Sequence, residues 1–296
     1  MPAAALVLSG CTGVPRPEGS GSSLPMSPYS YSTSANPTIS NAPLETAQSA
    51  SKTPVYWLGR SNDAVNLYRE FLDVPDHGDP ISSALWAMMS QRPADPEYFT
   101  AWQRPTRLGA SISGKNLITV DVSHDAFGGD LDAGMAQRAV QQLVFTATAA
   151  AGAAGLVDSN EAIQVVVLVD GHTDYAAFGH VKLGQPMLRD SSLQAPVWII
   201  DPQEGSQVPD GHLKITGRGV SPTSTLSWQI LKLDGNGSKN VYLSGSTQLN
   251  SPKGQMGDFA VTVNLAPGKY EVRVFQPSPG PAQLQQNVDS KSITVK

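Results

Sequence analysis

Leu117-Ile118-Thr119-Val120-Asp121-Val122-Ser123, the helical run that opens at Asp132, and Ile163-Gln164-Val165-Val166-Val167-Leu168-Val169-Asp170-Gly171 together decide the fold class. In the first segment Ile118, Val120 and Val122 share one face, and Thr119, Asp121 and Ser123 share the other. That alternation predicts a half-buried strand. Asp132 offers an N-cap to a helix whose apolar stripe is Ala136, Ala139, Val140, Leu143, Val144 and Ala147. This is helical spacing, and Gly152 and Gly155 are placed to end the helix. The third segment is apolar on both faces, which predicts a central strand covered by that helix, and Asp170-Gly171 turns the chain.

Upstream, Pro54-Val55-Tyr56-Trp57-Leu58 reads as a first strand, paired with residues 64–72 across the polar turn Gly59-Arg60-Ser61-Asn62-Asp63. Asp79 then caps a helix with Pro80 in its first position and Ile81, Ala84, Leu85, Met88 and Met89 along one stripe. The two methionines lie on that stripe and read as core filler rather than cofactor ligands. Arg92-Pro93 stops the helix. Residues 95–108 are aromatic-rich and irregular, with Tyr98, Phe99 and Trp102, and lead into a hairpin over residues 109–116. The order strand, strand, helix, hairpin, helix, strand predicts an α+β domain with a mixed sheet and two helices, the sheet single and the helices on one face.

Beyond Gln194-Ala195-Pro196 helical periodicity gives way to short alternating runs at residues 197–200, 212–217, 226–233, 241–246, 259–265, 270–275 and 292–295. Strands of this number and spacing predict an immunoglobulin-like sandwich. Trp228 alternates with Leu226 and Ile230 and is assigned to its core. Asp234-Gly235-Asn236-Gly237 is a strong turn. Leu265-Ala266-Pro267-Gly268-Lys269-Tyr270 carries the pattern of a tyrosine corner, in which the phenol ties a crossover to the sheet.

Several function classes are disfavoured by composition. The 296 residues carry 20 Lys plus Arg against 25 Asp plus Glu, a net charge of −5. A phosphate-binding face needs the opposite balance, so nucleic acid is not an expected partner. Cys11 is the single cysteine, which leaves no internal disulfide and no cysteine-based zinc site. No run approaches the length of a membrane-spanning helix.

Residues 1–11 end in Leu8-Ser9-Gly10-Cys11 after an apolar run. They resemble the end of a bacterial lipoprotein signal peptide, in which this lipobox pattern makes the cysteine the acyl acceptor and the mature first residue. No basic segment precedes the run, and it is shorter than the ~7–15 apolar residues of a full leader. The leader is therefore expected to begin upstream of Met1. The competing reading is an incidental cysteine in a tail. Residues 12–53 are dense in Ser, Pro, Thr, Ala and Gly and read as a tether, with a random-coil span of ~35 Å. A tether of this kind suits an anchored domain.

Val55-Tyr56-Trp57-Leu58, the helix at residues 80–93, Ile118-Thr119-Val120-Asp121-Val122-Ser123, Leu143-Val144-Phe145-Thr146 and Val167-Leu168-Val169-Asp170-Gly171 resemble, in that order, a GerMN domain. The resemblance spans roughly residues 53–189. Asp201-Pro202-Gln203-Glu204-Gly205-Ser206, Ile215-Thr216-Gly217-Arg218, Leu226-Ser227-Trp228, Gly257-Asp258-Phe259 and Pro267-Gly268-Lys269-Tyr270 resemble the immunoglobulin-like domain that accompanies GerMN domains in spore-germination proteins. The GerMN resemblance implies an envelope protein of sporulation or germination, also found in lipoproteins of actinobacteria. It further implies a fold similar to the ring-building motifs of secretion-like complexes, hence protein assembly rather than catalysis. The expected organisation is a signal peptide at 1–11, a tether at 12–53, a GerMN-like domain at 54–191 and an immunoglobulin-like domain at 196–296.

Candidate chemistry is sparse. Asp170, His172, Asp174 and His180 could cradle a divalent cation in a loop, but loop acids and histidines after a strand are more often solvated. Residues 73–79 are acidic without the distal glutamate of a calcium loop. Asp121, Asp125, Asp130 and Asp132 could supply the carboxylate pair of a wall hydrolase, yet a strand face, a turn and a cap account for them. No Gly-x-Ser-x-Gly elbow occurs, and the remaining histidines, His77, His124 and His212, have no metal-ligand spacing. Gly152-Ala153-Ala154-Gly155 follows a helix instead of opening one, the wrong end for phosphate. The expectation is a lipid-anchored protein of the outer face of the cytoplasmic membrane, without catalytic residue, metal or cofactor. Its expected partners are envelope proteins or further copies of itself, with binding to peptidoglycan as the alternative and wall hydrolysis as a lesser one.

Overall fold

The first element is β1 (Thr53–Ser61), which pairs antiparallel with β2 (Ala64–Leu72) in unbroken register from Thr53↔Leu72 to Ser61↔Ala64. In the computed structural model, residues 52–62, 64–114, 116–158, 160–278 and 284–296 are described, and all of them fall within one compact unit. Both strands thus continue into the polar stretch that reads as a five-residue turn. Helix α1 (Pro80–Ser90) opens as its sequence predicts. Asp79 accepts hydrogen bonds from the Ile81 and Ser82 amides at 2.9 and 2.8 Å, and Ile81, Ala84, Leu85, Met88 and Met89 are all buried. The irregular aromatic segment contributes a short strand, β3 (Tyr98–Phe99), on the free side of β1.

Next come β4 (Leu108–Ser113) and β5 (Leu117–Val122), the latter with Ile118, Val120 and Val122 fully buried in alternation. Helix α2 (Ala133–Ala153) is capped by Asp132, which accepts from the Met135 amide at 2.9 Å. It runs through Gly152, and Gly155 at φ +67° closes it, with the Leu156 amide bonded back to the Ala151 carbonyl. Glycine suits this left-handed stop because it has no Cβ to strain. Strand β6 (Gln164–Val169) pairs parallel with β5, and the small hairpin β7 (Ala176–Ala177) and β8 (Val181–Lys182) follows.

Two expectations are corrected here. The strands form two three-stranded sheets, β2-β1-β3 and the mixed sheet β4-β5-β6, instead of one. The reason lies in α2, which is buried at every position from Ala139 to Ala151 and so has no free face. Its predicted stripe packs in the main core with Val165, Val167 and Val169, while Phe145 and Ala149 on another side pack with Tyr56, Leu58 and Leu67. Polar residues on that helix are satisfied from within: Gln142 donates to the Tyr56 carbonyl at 2.9 Å, and Thr146 accepts from the Tyr56 amide at 3.1 Å. A helix can therefore take the place of a neighbouring strand along part of the β1 edge. The second correction concerns β6, which is an edge strand; β5 is the centre of its sheet. Val166 and Leu168 are half-buried on its other face, which makes the run read as apolar on both sides.

The second part is a sandwich of β14-β11-β9 against β10-β16-β15-β12-β13, where β9 is Val197–Asp201, β10 Ser206–Val208, β11 His212–Gly219, β12 Thr225–Leu233, β13 Lys239–Gln248, β14 Gly257–Asn264, β15 Gly268–Pro277 and β16 Gln285–Val295. All seven runs read from the sequence are strands, and the three-residue β10 is additional. Trp228 is only half-buried and packs against the core from its margin, because its indole covers Gly245 on the edge strand β13. The tyrosine corner is present: Tyr270 is fully buried and its hydroxyl donates to the Ala266 carbonyl at 2.9 Å. Tyr270→Phe leaves that carbonyl without its partner and is expected to cost about 1 kcal/mol. Urea unfolding should show a lower midpoint with an unchanged slope, and an unchanged midpoint would remove the corner from the forces holding this sheet.

Strand β9 joins the two cores. Val197 and Ile199 face the sandwich interior, whereas Trp198 between them is buried in the core of the N-terminal domain. The period-two geometry of one strand thus gives each domain a wall in common.

Candidate functional site

Two polar constellations stand out, and the first contains many of the residues singled out in the sequence. At the carboxyl ends of the parallel pair β5 and β6, Asp170 adopts φ +50° and receives Arg107 Nη2 at 2.9 Å and His124 Nδ1 at 2.8 Å. Asp125 accepts hydrogen bonds from the Ser123 hydroxyl and from the Thr106 amide at 3.1 Å. Asp121 accepts from the Gly171 amide at 2.9 Å. The fold therefore brings Asp121, Asp125 and Asp170 to one sheet end, but each carboxylate is engaged in fixing a turn. The Ser123 hydroxyl holds the Asp125 carboxyl below the usual carboxylate range, and the His124 ring does the same for Asp170. Both are ionised at neutral pH, the wrong state for a general acid.

The other candidates do not converge. His172, Asp174 and His180 are exposed, and Asp132 is occupied as the α2 cap. In the 73–79 segment Asp76 accepts from the Gly78 amide at 2.8 Å, Asp79 caps α1, and the His77 ring stacks on Trp86 with centroids 4.9 Å apart. Among the described residues no three His, Cys, Asp or Glu side chains are grouped to hold a metal ion. Leu8, Ser9, Gly10 and Cys11 lie outside the described residues. No helix of the described residues is long and apolar enough to cross a membrane.

The second constellation, which the sequence reading missed, is the junction between the two domains. Lys291 on β16 is 2% exposed, and its ammonium donates to Asp95, to the Tyr98 hydroxyl at 2.7 Å and to Asp289 at 3.4 Å. Its three protons are thus matched by three acceptors. The Tyr98 hydroxyl donates to Asp289 at 2.8 Å, and the Ile199 amide of β9 donates to the other Asp289 oxygen at 2.6 Å. Behind Asp95, the Glu70 carboxylate accepts from the Asp95 and Ala94 amides at 2.8 and 3.0 Å. The ring of Tyr98 stacks on Tyr68 at 4.7 Å and lies 4.3 Å from the ammonium. Around this centre run polar ties between the domains: Ser61 to Asn287 at 3.2 Å, and the Phe71 amide to Gln203 at 3.2 Å.

Electrostatics follow from that geometry. Burial pushes the Asp289 carboxyl above its ordinary value, against the pull of Lys291, and burial likewise raises Glu70. Burial alone would lower Lys291, but Asp289 and Asp95 outweigh it and hold the ammonium above its ordinary value. A sequence signal existed: Asp289 and Lys291 lie in phase with Ile293 and Val295, two positions apart on the buried face of β16. Charges in register with a core face indicate a buried partner set.

The family described as "Sporulation and spore germination" matches residues 54–175, and the "Immunoglobulin-like domain of bacterial spore germination" matches residues 196–280. No curated protein matches the chain at the level of sequence. Among solved structures, the tandem GerMN domains of the sporulation protein GerM from Bacillus subtilis align at 17% identity and a TM-score of 0.37, over 48% of this chain and 47% of that one. This chain therefore spans about half the length of that structure. The first GerMN domain of the same protein aligns at 15% identity and a TM-score of 0.33, over 47% of this chain and 95% of that one. Fibronectin(III)-like modules of CbhA from Clostridium thermocellum align at 18% identity and a TM-score of 0.22, over 34% of this chain and 95% of theirs.

Proposed function

We propose that this chain, in which a GerMN-type domain is followed by the immunoglobulin-like domain of bacterial spore germination, is a non-catalytic assembly protein held by a lipid at the outer face of the cytoplasmic membrane. The observation that carries the reading is the junction. The charged groups most removed from water among the described residues lie here: Asp95, Asp289 and Lys291 tie one domain to the other, and Glu70 fixes the Asp95 segment behind them, so none of the four lines a cleft. Neither domain type is a known catalytic family. The carboxylates at the ends of β5 and β6 are likewise absorbed by turns. A protein organised this way presents surfaces in a fixed relation, which suits binding to envelope proteins or to further copies of itself. Anchoring through Cys11 behind Leu8-Ser9-Gly10 and the tether at 12–53 would place those surfaces off the membrane.

Metabolic labelling with a palmitate analogue in the native host tests the anchor. Labelled wild type and an unlabelled Cys11→Ser variant are the expected pair. Wild type without label, or a variant that keeps it, rejects lipidation at this residue. Crosslinking in cells should recover envelope proteins or multimers of the chain. Retention on purified peptidoglycan without such partners would replace assembly by glycan binding, and a lytic band in a zymogram would overturn the non-catalytic reading.

A further inference from the structure

The junction holds more buried negative charge than positive. Glu70, Asp95 and Asp289 are each no more than 2% exposed, and Lys291 is the cation set among them. Its ammonium is fully used by Asp95, Tyr98 and Asp289, so Glu70 is left to two peptide N–H donors. The groups facing this centre are Tyr68 and Glu70 from β2, Asp95 and the exposed Glu97 from the segment before β3, Tyr98 from β3, and Asp289 and Lys291 from β16, while Glu271 of the neighbouring β15 reaches Glu97 but is itself paired with Lys239 and Arg273. β9 adds only the Ile199 amide. On β2, Arg69 lies beside Glu70 in sequence and carries its guanidinium over the Phe71 ring at 4.7 Å. Three carboxylates out of water around one ammonium carry a large desolvation cost if all stay ionised.

We propose that docking of the two domains takes up a proton, held on Glu70 or Asp289 beside Lys291, so that the junction is a latch that tightens as pH falls from neutral and loosens as pH rises. An ordinary salt bridge does the opposite and opens in acid. Here Asp289 and Glu70 are both raised by burial, so their protonated forms favour the docked state. Their contribution is complete below the ordinary carboxylate range and fades as pH climbs through the raised values. Lys291, also raised, acts in the same sense and withdraws its contribution only in alkali. Asp125 and Asp170 are lowered and act below the ordinary carboxylate range, so the window to examine lies above that range, where Glu97 and Asp201, also raised by burial, act in the same sense and are common to wild type and the variants.

The test is urea unfolding of the full chain across that window, for wild type, Glu70→Gln and Asp289→Asn. One proton held gives a folding constant that grows up to about tenfold per pH unit of acidification, and either variant should at least halve that slope. Wild-type stability that is flat or falls on acidification, or a full slope kept by both variants, overturns the latch. Should the variants fail to fold, an interdomain distance decides. With spin labels at Asp130→Cys and Ser244→Cys, both exposed positions, in a Cys11→Ser background, the distance distribution should broaden as pH rises. A distribution of constant width from acid into alkali rejects the proposal.

Discussion

Lys291→Met should lower the stability of the whole two-domain unit by about 3–5 kcal/mol at neutral pH, the range for removing one partner of a buried ionic group. Methionine nearly matches the length of the lysine stem, so the loss is the ammonium and its three hydrogen bonds to Asp95, Tyr98 and Asp289. What remains is a set of carboxylates out of water with no cation among them. For a body of this size the melting temperature should fall on the order of 10 °C. The deficit should also shrink on acidification, because Asp289, raised by burial and relieved of the opposing pull of Lys291, can then take up a proton. Thermal melts of wild type and variant at two pH values settle both points. A variant within a degree or two of wild type would mean that apolar packing, not the ionic cluster, holds the domains together.

Trp57→Ala is expected to be comparably severe, about 3–5 kcal/mol, through loss of packing alone. Trp57 is fully buried on β1 opposite Tyr68, in the core shared by both helices. Its indole nitrogen has no hydrogen-bond partner among the described residues, so truncation forfeits contacts and opens a cavity without breaking a polar tie. This separates two replacements. Trp57→Phe keeps most of the ring volume and removes an unsatisfied buried N–H, which offsets part of the lost area. Denaturant titration should therefore show a phenylalanine variant much closer to wild type than the alanine one. Equal losses in the two would place the importance of Trp57 in the indole nitrogen after all.

Much of the fold was legible because its signals are local. The Asp79 and Asp132 caps, the alternation of Ile118, Val120 and Val122, and the buried stripes of α1 and α2 are each dictated by residues within one or two turns of each other. The Tyr270 corner belongs to the same class, with its hydroxyl bonded four residues upstream. The site was less legible. Asp121, Asp125 and Asp170 could be named as acids, and the Ser123 hydroxyl that engages Asp125 is only two residues away, but that the Gly171 amide takes Asp121 and Arg107 takes Asp170 depends on the pairing of β4, β5 and β6.

The amino-acid sequence by itself determined an α+β domain followed by an all-β one, the starts of both helices and the seven main sandwich strands, since periodicity, capping and turn chemistry act over short distances. Tertiary structure alone decided that α2 is enclosed on all sides between two sheets, that β9 turns Trp198 into one core and Val197 and Ile199 into the other, and that Lys291 meets Asp95 across 196 positions of chain. A charge pattern can show that a residue needs a buried partner. Only packing brings that partner within hydrogen-bond distance, because the contact is made by two domains whose surfaces fit and not by anything in the intervening sequence.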